Sequence, residues 1–428
     1  INDIIVNEVI FMNENELKSI ERYFNKFNED AASFNEFEAN DFIKLLKNNN
    51  RNDDAIEVGS TFLQMAPSLK GYINQYGYAL YNKFINIDDE KIKEKENLFF
   101  DILEDILNIC KQEKYSPVEP AINRAIKYAL SQTPINYDLM IKMLNKLDIK
   151  LLSDKPFVNK EGKEFESFKE RYFRLKVRAL FETKQYKACV ECANQALATP
   201  LKWHYNALQW IKYYRGCALL ELKEYDEANR EFISLHNRIK GVNFYEVLYK
   251  TNVTVGKTKE ANAYLLYEFF EKGYSFEQLP LYQRLNEAVE NNGNELLIKV
   301  VHSFVKALCD ENQKECPLTI DEKYQGKDSS TLYDEMYDLI ISHLDSLVVR
   351  KSGKVVYYNE QNQFGNISVY DHDPIFFRQA DFAYDEEVER NERVNYTVLP
   401  TYDTKKQRLT EKAILITIDD SDYDFINR

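Results

Sequence analysis

The residue types that carry out covalent or metal chemistry occur in this chain, and at each occurrence a plainer structural role fits better. Cys189-x-x-Cys192 is a lone CxxC. A tetrahedral zinc site needs two more ligands, and no second pair or neighbouring histidine supplies them. Cys189 falls at a small-residue position of a helical pattern, which makes packing the better reading. Gly256-Lys257-Thr258 matches the end of a phosphate-binding loop, but Thr251 stands where that loop needs a glycine, and a turn between two helices explains Gly256. Asp420-x-Asp422-x-Asp424 opens like a calcium loop, lacks the sixth-position glycine and has no twelfth residue, so a solvated acidic tail is expected. The histidines His204, His236, His302, His343 and His372 are scattered without ligand spacing. No catalytic residue, metal or cofactor is assigned, and the chain reads as non-enzymatic.

A more informative stretch runs from Gly353 to Ile367, GKVVYYNEQNQFGNI. It alternates like a strand, turns at Asn359 to Asn362 and resumes with Phe364 and Ile367, the pattern of a hairpin opening a small barrel. The spacing of Gly353, Val355, two successive aromatics, Asn359 and Phe364-Gly365-x-Ile367 resembles the start of a cold-shock domain, a five-stranded OB barrel. Ile375-Phe376-Phe377-Arg378 resembles the third strand of that family, and Val394–Val398 and Ala413–Ile416 fill the fourth and fifth.

The resemblance implies a platform for single-stranded RNA or DNA. Bases stack on exposed rings of such barrels while basic residues hold the backbone. Tyr357, Phe364 and Phe376 take platform positions, Arg378 stands where the family has a histidine, and Lys354 is placed to meet phosphate. Several departures weaken the match. Val356 and Asn362 replace lysines, Asn366 and Gln379 replace platform aromatics, and Gln363 replaces the glycine before Phe364. From Arg350 to Arg428 there are 11 basic residues against 15 acidic ones, and Asp385-Glu386-Glu387 is expected in a loop beside the platform. Binding is therefore expected to be weak, and a barrel kept as a protein-docking module is the competing reading.

Composition sets the outer limits. The 428 residues leave room for two or three domains. With 14% aromatic residues and only 12 glycines, the chain reads as folded and mainly helical. Its formal charge of −14 argues against a general phosphate-backbone binder, because that affinity comes from Lys and Arg. Six cysteines in so long a chain are not a disulfide framework and point to a reducing compartment. The start, Ile1-Asn2-Asp3-Ile4-Ile5-Val6, has no basic leader and no initiating Met, which points to a trimmed start. Nowhere do 18 apolar residues follow one another, so a cytoplasmic protein without a membrane partner is expected.

The helices that must carry the barrel are read from apolar periodicity. Leu17, Ile20, Tyr23, Phe24 and Phe27 recur at spacings of three and four, as do Phe42, Leu45 and Leu46. Ala55, Gly59, Phe62 and then Ile73, Tyr76, Gly77 and Leu80 alternate small and large residues in a way that resembles the tetratricopeptide repeat, an antiparallel helix pair of about 34 residues. The pattern is clearest between 165 and 272. Cys189, Ala228 and Ala261 are equivalent small positions, 39 and 33 residues apart, and Lys223–Ala228 is the most repeat-like segment. Amphipathic helices then run over Phe276–Asn291, Glu295–Asp310 and Leu332–Val349, with Glu311–Ser330 read as a mobile loop or hinge. The last helix leads almost directly into the barrel, too short a link for a freely swinging domain.

The expected architecture is mainly α: a tetratricopeptide-like α-solenoid with a small C-terminal all-β, cold-shock-like OB barrel. Its parts are helical repeats at 1–160 and 161–349, the barrel at 350–418 and an acidic tail at 419–428. The expected role is a non-catalytic scaffold or adaptor, with a protein partner in the helical groove and single-stranded RNA or DNA held weakly on the barrel. A pure protein–protein scaffold, or a regulatory subunit of a bacterial nucleic-acid-processing or defence complex, is the alternative.

Overall fold

The computed structural model describes residues 14–419 apart from 237, 370–371 and 385–387. The chain divides into two units of dense internal contact, 1–211 and 212–428. The Asp385–Glu387 loop, most of the acidic tail and the chain start lie outside the described residues.

The first unit contains α1 (Glu14–Glu29), α2 (Glu36–Asn48), α3 (Asn52–Met65), α4 (Ile73–Leu80), α5 (Asp89–Glu94), α6 (Glu96–Ile109), α7 (Val118–Ser131), α8 (Tyr137–Leu144), α9 (Phe168–Glu182) and α10 (Tyr186–Ala198). Its opening aromatics form one run of ring contacts. Tyr23, Phe27, Phe34, Phe42, Phe62 and Tyr72 lie with neighbouring ring centroids 5.1–6.4 Å apart, so α1, α2 and α3 share one aromatic core. α2 starts where it does because Asn35 accepts the N–H groups of Phe37 and Glu38, while the Glu38 carboxylate accepts the Asn35 N–H, a capping box worth about 1 kcal/mol. The connector expected near 159–163 closes a small ribbon between Phe157–Val158 and Glu164–Phe165.

The helical hairpins share one turn in both units. Asn50, Lys184, Lys223 and Gly256 adopt left-handed backbone with φ of 58°, 59°, 64° and 76°. The next residue's N–H then bonds back to Leu46, Leu180, Leu219 and Asn252 at 2.8–2.9 Å. Five residues after each left-handed position stands a fully buried small residue, Ala55, Cys189, Ala228 or Ala261. A tight turn fixes the approach of the second helix, and only a small side chain fits at the point of closest approach. This is the tetratricopeptide-like register, and it accounts for Gly256 without a bound phosphate.

The second unit contains α11 (Ala207–Glu221), whose first residues belong to the first unit, then α12 (Tyr225–Leu235), α13 (Phe244–Thr254), α14 (Thr258–Lys272), α15 (Leu279–Asn292), α16 (Glu295–Glu311), α17 (Ser329–Ser342) and α18 (Leu344–Leu347). α11 and α12 touch through Gly216, where a Cβ would sit 2.8 Å from the Phe232 ring. Two expectations change here. The single helix expected over Leu332–Val349 breaks at His343, which turns Leu344, Leu347 and Val348 inward. The segment 311–330 is anchored at several points. The Glu311 carboxylate accepts from the Ser329 N–H and hydroxyl, Asp321 N–H donates to Ser303 Oγ at 2.9 Å, and Tyr324 is buried.

Five strands complete the second unit: β1 (Lys351–Asn359), β2 (Phe364–Val369), β3 (His372–Arg378), β4 (Arg393–Asp403) and β5 (Arg408–Ile418). They close into a barrel in the order β1-β2-β3-β5-β4, with β4 paired back onto β1 and β3 parallel to β5. That order is the five-stranded Greek-key arrangement of the OB fold. Val355, Ile367, Ile375, Phe377, Val394, Tyr396, Ala413 and Ile416 fill its interior. The short link from α18 is pinned by Arg350. Its guanidinium donates to the carbonyls of Asn395 (3.0 Å) and Leu415 and to Thr417 Oγ1 (2.8 Å), at the bulge where Leu415 takes φ of +50°. Burial lowers the Arg350 pKa to about 10.

Candidate nucleic-acid interface

Strand pairing sets which side chains share the outer face of β1, β2 and β3. Simple alternation along β1 would place Tyr357 on the same side as the buried Val355. A bulge between them changes this: Val355 pairs with Ile367 and Tyr357 with Asn366, so Val356 is the extra residue and Tyr357 turns outward. Lys354, paired with Ser368, also lies on the outer face. On the other side of β2, Asn366 pairs with Phe376 and Phe364 with Arg378. The five residues assigned from the sequence, Lys354, Tyr357, Phe364, Phe376 and Arg378, therefore stand on one face of three adjacent strands.

The three rings form a continuous row. Tyr357 and Phe364 have centroids 6.1 Å apart, and Phe364 and Phe376 5.8 Å apart. Tyr357 is 45% and Phe376 38% exposed, and Lys354 and Arg378 are exposed as well. The row depends on Gly365, one residue from Phe364. A Cβ there would lie 2.4 Å from the Tyr357 carbonyl oxygen and 2.5 Å from the Phe377 ring beneath. The inward Phe377 is in turn stacked with Tyr358, at 6.2 Å and parallel, so the platform rests on a packed second layer.

The departures from the family pattern also have places in the structure. Gln363 takes φ of +51°, the conformation that a glycine before Phe364 would hold without strain. Gln379 accepts the Tyr358 hydroxyl at 2.8 Å, so its side chain braces the barrel end. Asn366 pairs with both Tyr357 and Phe376, so a polar side chain stands beside the ring row where the family has an aromatic. Beside Lys354 the register places Arg393, a basic neighbour that sequence reasoning passed over.

Next to the row lies the junction with the helices of the same unit. Phe376 pairs with Lys412 of β5, whose ammonium lies 2.6 Å from Asp381 Oδ1 and donates to the Tyr267 hydroxyl of α14 at 2.7 Å. Tyr267 donates to Asp381 at 2.8 Å, and the second Asp381 oxygen accepts the Arg378 N–H at 2.6 Å. Burial, followed by the adjacent Asp381 carboxylate, pushes the Tyr267 pKa well above that of free tyrosine. Tyr337 donates to the Ala383 carbonyl at 2.5 Å, and the Arg238 guanidinium lies 5.1 Å from the Tyr402 ring. No local sequence signal marks these partners.

The two cysteines of the CxxC pair pack inside the helices. Cys189 and Cys192 are buried, the Cys189 thiol donates to the Val177 carbonyl, and burial raises Cys192 to about 11. Among the described residues no group of His, Cys, Asp and Glu is placed to hold a metal ion. His204 is held between Glu170 and Glu164, both at 2.8 Å, and these carboxylates raise its pKa. Asp420, Asp422 and Asp424 lie outside the described residues. Among the described residues, no helix is long and apolar enough to cross a membrane.

No protein-family model matches the chain, and no curated protein matches it. Among solved structures it is similar to the apo form of the quorum sensor NprR from B. thuringiensis, with 15% identity over 76% of this chain and 83% of that one, at a TM-score of 0.25. A likeness of this strength carries no weight, and the fold rests on the contacts described above.

Proposed function

We propose that the protein is a non-catalytic cytoplasmic scaffold whose cold-shock-like barrel binds single-stranded RNA or DNA weakly while its helical array holds a protein partner. In this reading the functional parts are the helical repeats 1–160 and 161–349, the barrel 350–418 and the acidic tail 419–428. The observation that carries it is the ring row Tyr357–Phe364–Phe376, exposed at Tyr357 and Phe376 and half-buried at Phe364, with Lys354 and Arg378 on the same face. Rings at this spacing offer successive stacking surfaces to bases, each worth about 1–3 kcal/mol, without demanding a particular sequence. Lys354 and Arg378 supply about two phosphate neutralisations, so the salt dependence is shallow.

The test is fluorescence anisotropy of the full chain with labelled oligo-dT and oligo-U at low salt. Binding that weakens when Phe364 is replaced by Ala supports the proposal. No binding at about 100 μM protein, the weak end of non-specific affinity, overturns it. The second reading, a barrel that docks a protein, is favoured by the charge: −14 overall, and 11 basic against 15 acidic residues from Arg350 onward.

A further inference from the structure

One ion cluster of the first unit is built around a single titratable ring. His204 lies in the connector between α10 and α11, just before the chain turns through Tyr205 and Asn206 with φ of 52° and 58°. Its backbone N–H donates to Glu170 Oε1 at 2.5 Å, and its Nδ1 lies 2.8 Å from Glu170 Oε2. On the other edge of the ring Nε2 lies 2.8 Å from Glu164 Oε1, a carboxylate that also pairs with the Lys202 ammonium. Glu170, in the first turn of α9, is wholly withdrawn from water, while the His204 side chain keeps 12% exposure and that of Glu164 34%. The ring therefore faces Glu170 from α9, Glu164 from the ribbon of Phe157–Val158 and Glu164–Phe165, and Lys202 and Tyr205 from its own connector, the Tyr205 ring centroid being 6.1 Å away. The neighbouring Glu166 carboxylate is taken by Arg171 and Arg174, at 2.8–2.9 Å.

An imidazole carries one N–H when neutral and two when charged. With a carboxylate oxygen at hydrogen-bond distance from each nitrogen, the imidazolium satisfies both, and the neutral ring turns a lone pair toward one of them. We propose that His204 is a proton-dependent clasp: as the imidazolium it ties the Phe157–Phe165 ribbon to α9, and on losing a proton to solvent it lets the ribbon go. The proton that leaves is the one on Nε2, because Glu170 is fully buried and needs the Nδ1–H as its partner, whereas Glu164 is partly open to water. The connector stays in place, held by the His204 backbone N–H on Glu170, whatever the charge of the ring. The ribbon has little else to hold it. Its strands are two residues each, too short to be stable as an isolated hairpin, and Phe157 and Val158 are exposed. The exposed Lys202–Glu164 pair adds little, and the Glu166 anchor confines the opening to residues 157–164. The hydrogen bonds to Glu170 and then Glu164 raise the His204 pKa above its unfolded value of about 6.5, so the clasp is complete below pH ~6.5 and is lost as pH rises through the folded value.

The test titrates the full chain and reads two signals. Nitrogen NMR of selectively labelled histidine reports the His204 ring, assigned by the resonance missing in His204→Gln. Amide exchange by mass spectrometry reports residues 157–164, with labelling times scaled to cancel the base catalysis of exchange itself. The expected result is a His204 midpoint above pH ~6.5 with both ring nitrogens protonated below it, and ribbon exchange that rises at least about threefold through that midpoint while α6 amides do not change. A midpoint at or below pH ~6.5 overturns the proposal, as does ribbon exchange that does not step with the ring. Glu164→Gln alters a partly exposed side chain and spares the core; it should lower the His204 midpoint and flatten the step in ribbon exchange. An unchanged midpoint or an unchanged step in that variant also overturns the proposal.

Discussion

Two sides of the barrel carry the same kinds of side chain to different ends. At the junction, Tyr267 and Lys412 converge on Asp381, and the pair Lys412 and Asp381 is nearly withdrawn from water, at 14% and 1% exposure. On the platform, Tyr357, Phe364 and Phe376 lie beside Lys354 and Arg378; Tyr357, Phe376 and the two basic groups are exposed and Phe364 is half-buried between the rings. The register places them side by side, since Phe376 and Lys412 are paired residues and the Arg378 N–H bonds to Asp381. A buried ion pair is tolerated when hydrogen bonds satisfy both partners, whereas an exposed row of rings gains nothing from the fold and is explained by what it contacts. The difference separates a side of the barrel that the chain itself completes from one that it leaves exposed.

The largest expected effect tests the closed side. Asp381→Ala leaves Lys412 nearly buried without its carboxylate and takes the acceptors from Tyr267 and the Arg378 N–H. The variant is expected to lose about 3–5 kcal/mol of local stability, read as faster amide exchange in β3 and β5. Tyr357→Ala on the open side should change exchange by no more than about 0.5 kcal/mol. If the two variants behave alike, the contrast fails. The next effect reverses the comparison. Phe364→Ala or Phe376→Ala should lose about 1–3 kcal/mol of oligonucleotide affinity by anisotropy while barrel exchange is little changed.

Alkaline pH sharpens the contrast further. The folded pKa of Tyr267 is raised above the unfolded value of about 10, so its contribution to stability is fully present below pH ~10 and is lost as pH rises toward the folded value. Urea midpoints should therefore fall above pH ~10, and the fall should be shallower in Tyr267→Phe, which has no phenol to ionise. Equal slopes in the two proteins would remove the junction from the account.

Much of the helical array is legible because its cues are local. Lys223 and Ala228 lie five residues apart in one turn, and the same spacing relates Lys184 to Cys189 and Gly256 to Ala261. The barrel was legible as strands, because Val355, Ile367, Ile375 and Phe377 alternate with outward residues. Tyr357 faces outward for a reason alternation does not contain: the bulge at Val356 shifts the register by one residue. The junction was hidden by distance along the chain, since Tyr267 meets Asp381 and Lys412 across 114 and 145 residues. The segment 311–330 looked mobile because it is polar and lacks periodicity, and its anchors at Ser303 and Tyr324 are tertiary contacts.

The smallest expected effect concerns the turn that feeds the open face. Gln363 precedes Phe364 in the β1–β2 hairpin with φ of +51°, a conformation that costs a residue with a Cβ about 1–2 kcal/mol. Glycine adopts it freely and returns about 0.5–1 kcal/mol of that through the greater freedom of its unfolded chain. Gln363→Gly should therefore stabilise the barrel by about 0.5–1 kcal/mol, read as slower exchange in β1 and β2. Gln407, at φ of +53° in the β4–β5 turn, is the control. Its amide accepts the Tyr402 hydroxyl at 3.1 Å and donates to the Thr404 carbonyl at 2.7 Å, contacts that a glycine removes, so Gln407→Gly should gain less or lose stability. Because the first substitution leaves the ring row in place, its oligonucleotide affinity should stay the same or rise as the Phe364 position becomes better defined. A destabilised Gln363→Gly variant would show that the exposed Gln363 side chain holds the turn through contacts stronger than the backbone strain it carries.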